Sequence, residues 1–208
     1  MKRYVPSVAF VLQLLFVQLG AGQDCGSGTR ILIGQVHAKE DIQQLSNWWG
    51  VCDGNPSRLI PLKLKPVPSN ANFYEVDGRS NELVFWINGL KQMKEREIPI
   101  GVIRRDIWPG GQAVDYLGKQ FVLSYERSIA GESLALSSEG KKQTIHLIPK
   151  NDRDDWSWSV EWSGDLDNDG RLDFLVYTDT SYRLYTSAPA EESEFVKEVA
   201  VFKRGTPL

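Results

Sequence analysis

Between Asp165 and Asp173 the chain places four carboxylates in nine residues, Asp165-Leu166-Asp167-Asn168-Asp169-Gly170-Arg171-Leu172-Asp173, with strand-like runs on either side. No other segment restricts the fold as tightly. Like charges about 5 Å apart repel by roughly 3 kcal/mol per pair at an effective dielectric near 20, so a compact turn of this composition asks for a cation. Hard oxygen donors favour calcium, which accepts about six to eight of them in an adaptable geometry. The spacing assigns side-chain oxygens to Asp165, Asp167 and Asp169, and a backbone carbonyl to Arg171. Asp173 completes the site directly or through water, and Gly170 permits the sharp turn. A solvated acidic turn holding no metal is the plain alternative.

The first six residues also match the helix–loop–helix calcium signature, which requires a bidentate Glu at its twelfth position. Val176 stands there, and the flanks lack helical periodicity, so that arrangement is excluded. The pattern Asp-x-Asp-x-Asp-Gly-x-x-Asp followed by Phe174-Leu175-Val176 resembles the strand–loop–strand calcium loops of the FG-GAP/VCBS repeat families. Those families include the α-subunit propellers of integrins and many bacterial surface proteins. The likeness runs from Trp162 to Tyr177 in a single copy and implies a local calcium site. Propellers need several blades, so it does not extend to the global fold.

Elsewhere, short strand-like runs recur between Gly, Pro, Asn and Asp. Expected strands are Arg30–Val36, Leu59–Val67, Asn72–Val76, Glu82–Asn88, Pro99–Arg104, Gln120–Glu126 and Glu132–Ser138. Gln143–Ile148, Trp156–Trp162, Leu172–Thr178, Tyr182–Ser187 and Phe195–Arg204 follow. Ser138-Glu139-Gly140-Lys141 reads as a hairpin turn and Asp77-Gly78 as a second turn. The one expected helix is short, Ala38–Ser46, where Ile42, Leu45 and Trp49 recur at helical spacing. Arg105–Lys119, with Pro109-Gly110-Gly111, reads as a long loop and a candidate binding element. This pattern predicts an all-β chain of antiparallel sheets, a sandwich, barrel or propeller-like array, with one calcium-clamped hairpin. The charged run Lys150–Asp155 is read as a hairpin tip inside one domain covering residues 23–208.

The first 22 residues have the pattern of a secretory signal: Lys2 and Arg3, an apolar run from Val5 to Leu19, and the small residues Gly20-Ala21-Gly22. Interrupted by Pro6, Gln13 and Gln18, the run is short for a membrane span of about 20 residues. A lipid anchor on Cys25 is the weaker alternative, since Gln23 and Asp24 stand where small residues are wanted. Export, to the periplasm or the medium, places the mature chain where calcium is plentiful and thiols oxidise. Its two cysteines, Cys25 and Cys52, are then expected to form a disulfide; two buried thiols are the alternative. The formal charge is −3, and −5 once Lys2 and Arg3 are removed, with Lys141, Lys142 and Arg204 scattered, so nucleic acid is not an expected partner.

Trp156, Trp158, Val160 and Trp162 alternate strictly and are expected on one strand face running into the acidic loop. Phe174 to Tyr177 is almost continuously apolar, as in a strand covered on both faces. Trp48, Trp49 and Trp108 are the candidate partner-binding aromatics; Trp48 and Trp49, being adjacent, face opposite ways, and Gly50 suggests a bend. Of the two histidines, His37 precedes the helix, and His146 lies on the opposite parity from Ile145 and Leu147, which points it toward solvent or a sheet edge. No nucleophile elbow, metalloprotease helix, phosphate-binding glycine loop or dinucleotide fingerprint occurs. The favoured functional expectation is a non-enzymatic binding module for a protein or glycan partner. Two alternatives remain: an inhibitor or immunity protein against a cell-wall hydrolase, and a small hydrolase whose carboxylates are distant in sequence.

Overall fold

The computed structural model describes residues 28–42, 46–54, 56–78, 82–90, 93–99, 104–107, 110–129, 131–149, 158–178 and 181–203. The first half holds β1 (Arg30–Leu32), β2 (Val36–Ala38), α1 (Lys39–Ile42), β3 (Trp49–Cys52), β4 (Ser57–Pro61), β5 (Leu64–Val67), β6 (Asn70–Val76), β7 (Leu83–Asn88) and β8 (Arg96–Ile98). There follow β9 (Arg105–Asp106), β10 (Gln112–Tyr116), β11 (Lys119–Ser128), β12 (Gly131–Ser138) and β13 (Lys141–Pro149). The last strands are β14 (Ser159–Gly164), β15 (Asp173–Tyr177), β16 (Ser181–Thr186) and β17 (Lys197–Lys203). The chain is therefore all-β with antiparallel pairing, as the alternation and turn residues predicted.

Four sheets result, in the strand orders β2-β6-β5, β1-β7-β3-β4-β8, β17-β16-β15-β14-β9 and β10-β11-β12-β13. Three apolar layers separate them. Tyr74, Val76 and Ile42 meet Trp48, Ile60 and Trp86 in the first. Val51, Leu59, Phe85 and Ile87 meet Trp162, Leu175 and Leu184 in the second. Val160, Phe174 and Val176 meet Val114, Leu123, Leu134 and Leu136 in the third. The two middle sheets are thus covered on both faces, which explains their continuous apolar runs. In β15, Phe174 and Val176 enter one layer and Leu175 the other. Each fully buried side chain of this kind contributes roughly 1.5–3 kcal/mol relative to exposure.

Bulges shift several expected faces. Along β14 and β15 the register runs Ser159↔Tyr177, Val160↔Val176 and then Trp162↔Leu175, leaving Glu161 as the extra residue. The side-chain alternation flips there. Trp158 and Val160 therefore face the β10–β13 sheet, whereas Trp162 faces the opposite layer, where its ring meets Phe85 edge-on at 5.6 Å and its indole N–H donates to Ser57 Oγ at 3.3 Å. The tryptophans do not share one face; Trp156 lies outside the described residues. A second bulge, at Ile145 between the pairs Leu134↔His146 and Ala135↔Thr144, turns His146 inward against Trp158 and leaves Leu147 70 % exposed. Of the two placements expected for His146, the sheet edge holds, since β13 is an edge strand, and the solvent-facing one does not.

Other boundaries also move. Arg30–Val36 and Leu59–Val67 each divide into two strands in different sheets, and neither Pro99 nor Arg104 is in a strand. The expected 105–119 loop contains β9 and β10, and the helix comprises Lys39–Ile42 among the described residues. Gly50 makes no bend: it pairs with Ile60 and Trp86 inside β3, and a Cβ there would collide with Leu62 and Leu83. The Glu139-Gly140 turn forms as expected, with φ of 50° and 77°, matching the left-handed pair a two-residue hairpin requires.

Candidate metal centre

The acidic loop joins β14 to β15. Gly164 precedes it, and a Cβ there would lie 2.6 Å from the Trp162 ring and 2.9 Å from Ile98, so the strand end must be bare to seat against the neighbouring sheet. Leu166 and Leu172, both buried, anchor the loop in the second and third layers respectively. Asn168 and Gly170 take the left-handed conformation at φ 64° and 82°. Nothing lies within 4 Å of a Cβ built on Gly170, so glycine is favoured there by backbone conformation and not by space.

This path gathers Asp165, Asp167 and Asp173, each contributing an oxygen within 4.8 Å of the others, in an arrangement that could hold a metal ion. Asp173 is fully buried and Asp165 nearly so. Asp165 accepts from the backbone N–H of Asp169 at 3.1 Å and of Gly170 at 2.9 Å. Asp173 accepts from Leu166 N–H at 2.7 Å, Ser187 N–H at 2.8 Å and Ser187 Oγ at 3.1 Å. These bonds fix the carboxylates yet leave lone pairs for a cation, since each oxygen has two acceptor directions. Asp167 Oδ2 is buried without any hydrogen-bond partner. A buried orphan acceptor is costly, and a cation is the natural partner for one beside two other carboxylates.

Of the four expected carboxylates, Asp165, Asp167 and Asp173 offer oxygens within 4.8 Å of one another. Asp169 stands beside them, accepting from Ser187 Oγ at 2.9 and 3.1 Å, from Arg171 N–H at 2.8 Å and from Arg171 Nε at 3.0 Å. Arg171 also donates to the Ser187 carbonyl at 2.8 Å, so its side chain clasps the loop to the end of β16. Three supporting residues were not foreseen. Ser187 bonds both Asp169 and Asp173, Arg96 of β8 donates to the Asp165 carbonyl at 2.8 Å, and the Tyr116 phenol of β10 bonds the Asp165 carboxylate. None lies within the motif, and none carries a sequence signature of its own.

Of the other expected sites, Trp48 is fully buried in the first layer, 6.4 Å from the Trp86 ring, and presents nothing to a partner. Trp49 is half-buried; Trp108 and Cys25 lie outside the described residues, while Cys52 is buried at the end of β3.

The electrostatics agree with a close cluster of carboxylates. Burial, then the charges of Asp169 and Asp165, push the Asp167 carboxyl up to about 6. Burial and the Asp167 charge raise Asp173 well above the usual carboxylate range, against the opposing hydrogen bonds from Leu166 and Ser187. Burial and the charges of Asp165 and Asp173 push Tyr116 up to about 12. A carboxyl raised on folding holds a proton that the unfolded chain has lost, so metal-free stability falls as pH rises from about 4 through 6. His146, lowered by burial and by Arg183 to about 4, works oppositely: its contribution is present above pH 6.5 and lost as pH falls toward 4. Subtraction removes that overlap. The difference in melting midpoint between metal-loaded and chelated protein is expected to shrink as pH falls from 7 to 5, because protons compete for Asp167 and Asp173. A difference that stays constant over that range contradicts carboxylate ligation.

The fold and site thus define an all-β chain with a buried acidic triad able to hold a cation. No known protein family matches the chain, and comparison with curated proteins and with solved structures finds no match.

Proposed function

We propose that this chain is an exported, calcium-braced all-β protein that serves as a non-enzymatic binding module for a protein or glycan in the cell envelope or outside the cell. The observation that carries the reading is the converged triad of Asp165, Asp167 and Asp173, one of whose carboxylates, Asp167, has a buried oxygen with no hydrogen-bond partner. Oxygen-only donors suit calcium better than zinc, which prefers nitrogen and sulfur. The resemblance of this loop to FG-GAP/VCBS calcium loops points the same way. The leader pattern of residues 1–22 and the pair Cys25 and Cys52 support export to a calcium-rich, oxidising compartment. No helix among the described residues is long and apolar enough to cross a membrane.

Binding is favoured over catalysis because the gathered carboxylates are engaged in bracing: their oxygens accept backbone N–H groups of their own loop and of Ser187. Calorimetric titration of chelator-stripped protein with calcium is expected to give one site per chain, retained at an excess of magnesium. No heat with calcium on correctly folded protein defeats the metal reading. Affinity capture from envelope extract in calcium then tests the partner reading, with recovery of a hydrolysed substrate instead of a retained partner favouring an enzyme.

A further inference from the structure

The hairpin between β10 and β11 turns on Leu117-Gly118, since Tyr116 pairs with Lys119. Both turn residues are left-handed, at φ 48° and 78°. Turns of this type strongly prefer Asn, Asp or Gly at the first position, because a Cβ there crowds the backbone. A leucine is costly in that conformation, and this one is also 70 % exposed. It spends both conformational and solvation energy where Asn would spend neither. Local strain retained at the surface is a pointer to function.

Leu117 borders a cavity of about 250 Å³, floored by Tyr116, Phe121, Leu172 and Phe195. Phe121 and Phe195 meet edge-on at 6.1 Å, giving the floor a fixed shape. Ligand sites for small molecules usually run from about 300 to 1,000 Å³, so this cavity is better matched to one apolar side chain. Its rim carries Lys119 and Arg171 against Glu139 and Glu194. The Lys119–Glu139 pair spans 3.2 Å, with both side chains more than half exposed. Two cations and two anions sum to zero at the rim, on a chain whose formal charge is −3.

We propose that this end of the molecule is a self-association surface, with Leu117 of one copy entering the cavity beside Leu117 of a second. A protruding apolar knob adjacent to an apolar hole is what a two-fold contact needs, because each patch must complement itself. The mixed rim serves the same end. Its charges are paired within the chain, Lys119 with Glu139, Arg171 with Asp169 and Glu194 with Lys197, so the rim opposes no identical copy, whereas a partner of one strong charge sign finds no unpaired opposite charge there. The cavity's wall includes Gly170 and Arg171, but its apolar floor does not depend on an ion being present.

Sedimentation equilibrium of the purified chain in calcium, from micromolar to near-millimolar concentration, tests the proposal. The average mass is expected to rise toward twice the monomer. Leu117→Asn is expected to remain monomeric while melting at the same or a higher temperature, since Asn suits the turn. Leu117→Asp, which also tolerates this conformation and adds a charge, is expected to lose association as well. A wild-type chain that stays monomeric throughout overturns the proposal. So does association of either variant equal to that of the wild type, and so does a wild-type chain that is monomeric alone but binds a different protein through Leu117.

Discussion

Saturating calcium is expected to raise the melting midpoint of chelator-stripped protein by about 5–15 °C. A ligand at 100 to 1,000 times its dissociation constant adds about 2.7–4.1 kcal/mol, and for a chain of 150–250 residues each kcal/mol corresponds to about 2–4 °C. The physical source is the close packing of three carboxylates within 4.8 Å, which repel by roughly 3 kcal/mol per pair when no cation is bound. Asp167→Ala separates this from non-specific salt effects. It removes a ligand and also the orphan buried oxygen, so the calcium-dependent rise should fall by more than half. The chelated variant should melt at or above the chelated wild type, because a repelling charge is gone. Equal midpoints for the wild type in calcium and chelator, measured by scanning calorimetry, would end the metal reading. A lower chelated midpoint for the variant would instead make Asp167 a structural acceptor.

Trp162→Ala is expected to cost about 3–5 kcal/mol, the range for deleting a large aromatic from a packed interior, and to lower the midpoint by roughly 6–20 °C. Trp162 is fully buried: its ring packs on Phe85, its N–H reaches Ser57, and it stands two residues before the bare Gly164. It therefore joins the two middle sheets at the root of the metal loop. Trp162→Phe retains most of the ring contact and should recover more than half of the loss. Denaturant melts of the three chains, compared at equal calcium, check the order. A small, equal effect for both variants would mean that the second layer does not depend on this residue.

How far the sequence revealed this arrangement depended on distance along the chain. The acidic triad was legible because its members fall within nine residues, where spacing alone brings them together. Tyr116, Arg96 and Ser187 were not, because only the tertiary fold carries them to the loop. Strand existence was readable from short apolar or alternating runs bounded by turn residues in β7, β11, β12 and β15. The bulges at Glu161 and Ile145 were invisible, since one extra residue leaves the composition unchanged but reverses every face beyond it. That reversal sent Trp162 to a different layer from Trp158 and turned His146 inward. β10 was hidden by the preceding Pro109-Gly110-Gly111, which reads as loop, and by only one β-branched residue, Val114, in its five.

The sheet β10-β11-β12-β13 is inserted between β9 and β14, which pair with each other in a different sheet. As the chain emerges N-terminus first, this meander can assemble from adjacent hairpins once Pro149 is out, whereas the strands that roof its apolar side, β14 to β17, are still to follow. Val114, Leu123, Leu134 and Leu136 stand uncovered until they do. A chain arrested in that interval presents a sticky sheet with two open edges, so the promptness with which β14 to β17 follow should influence how much of it is recovered soluble.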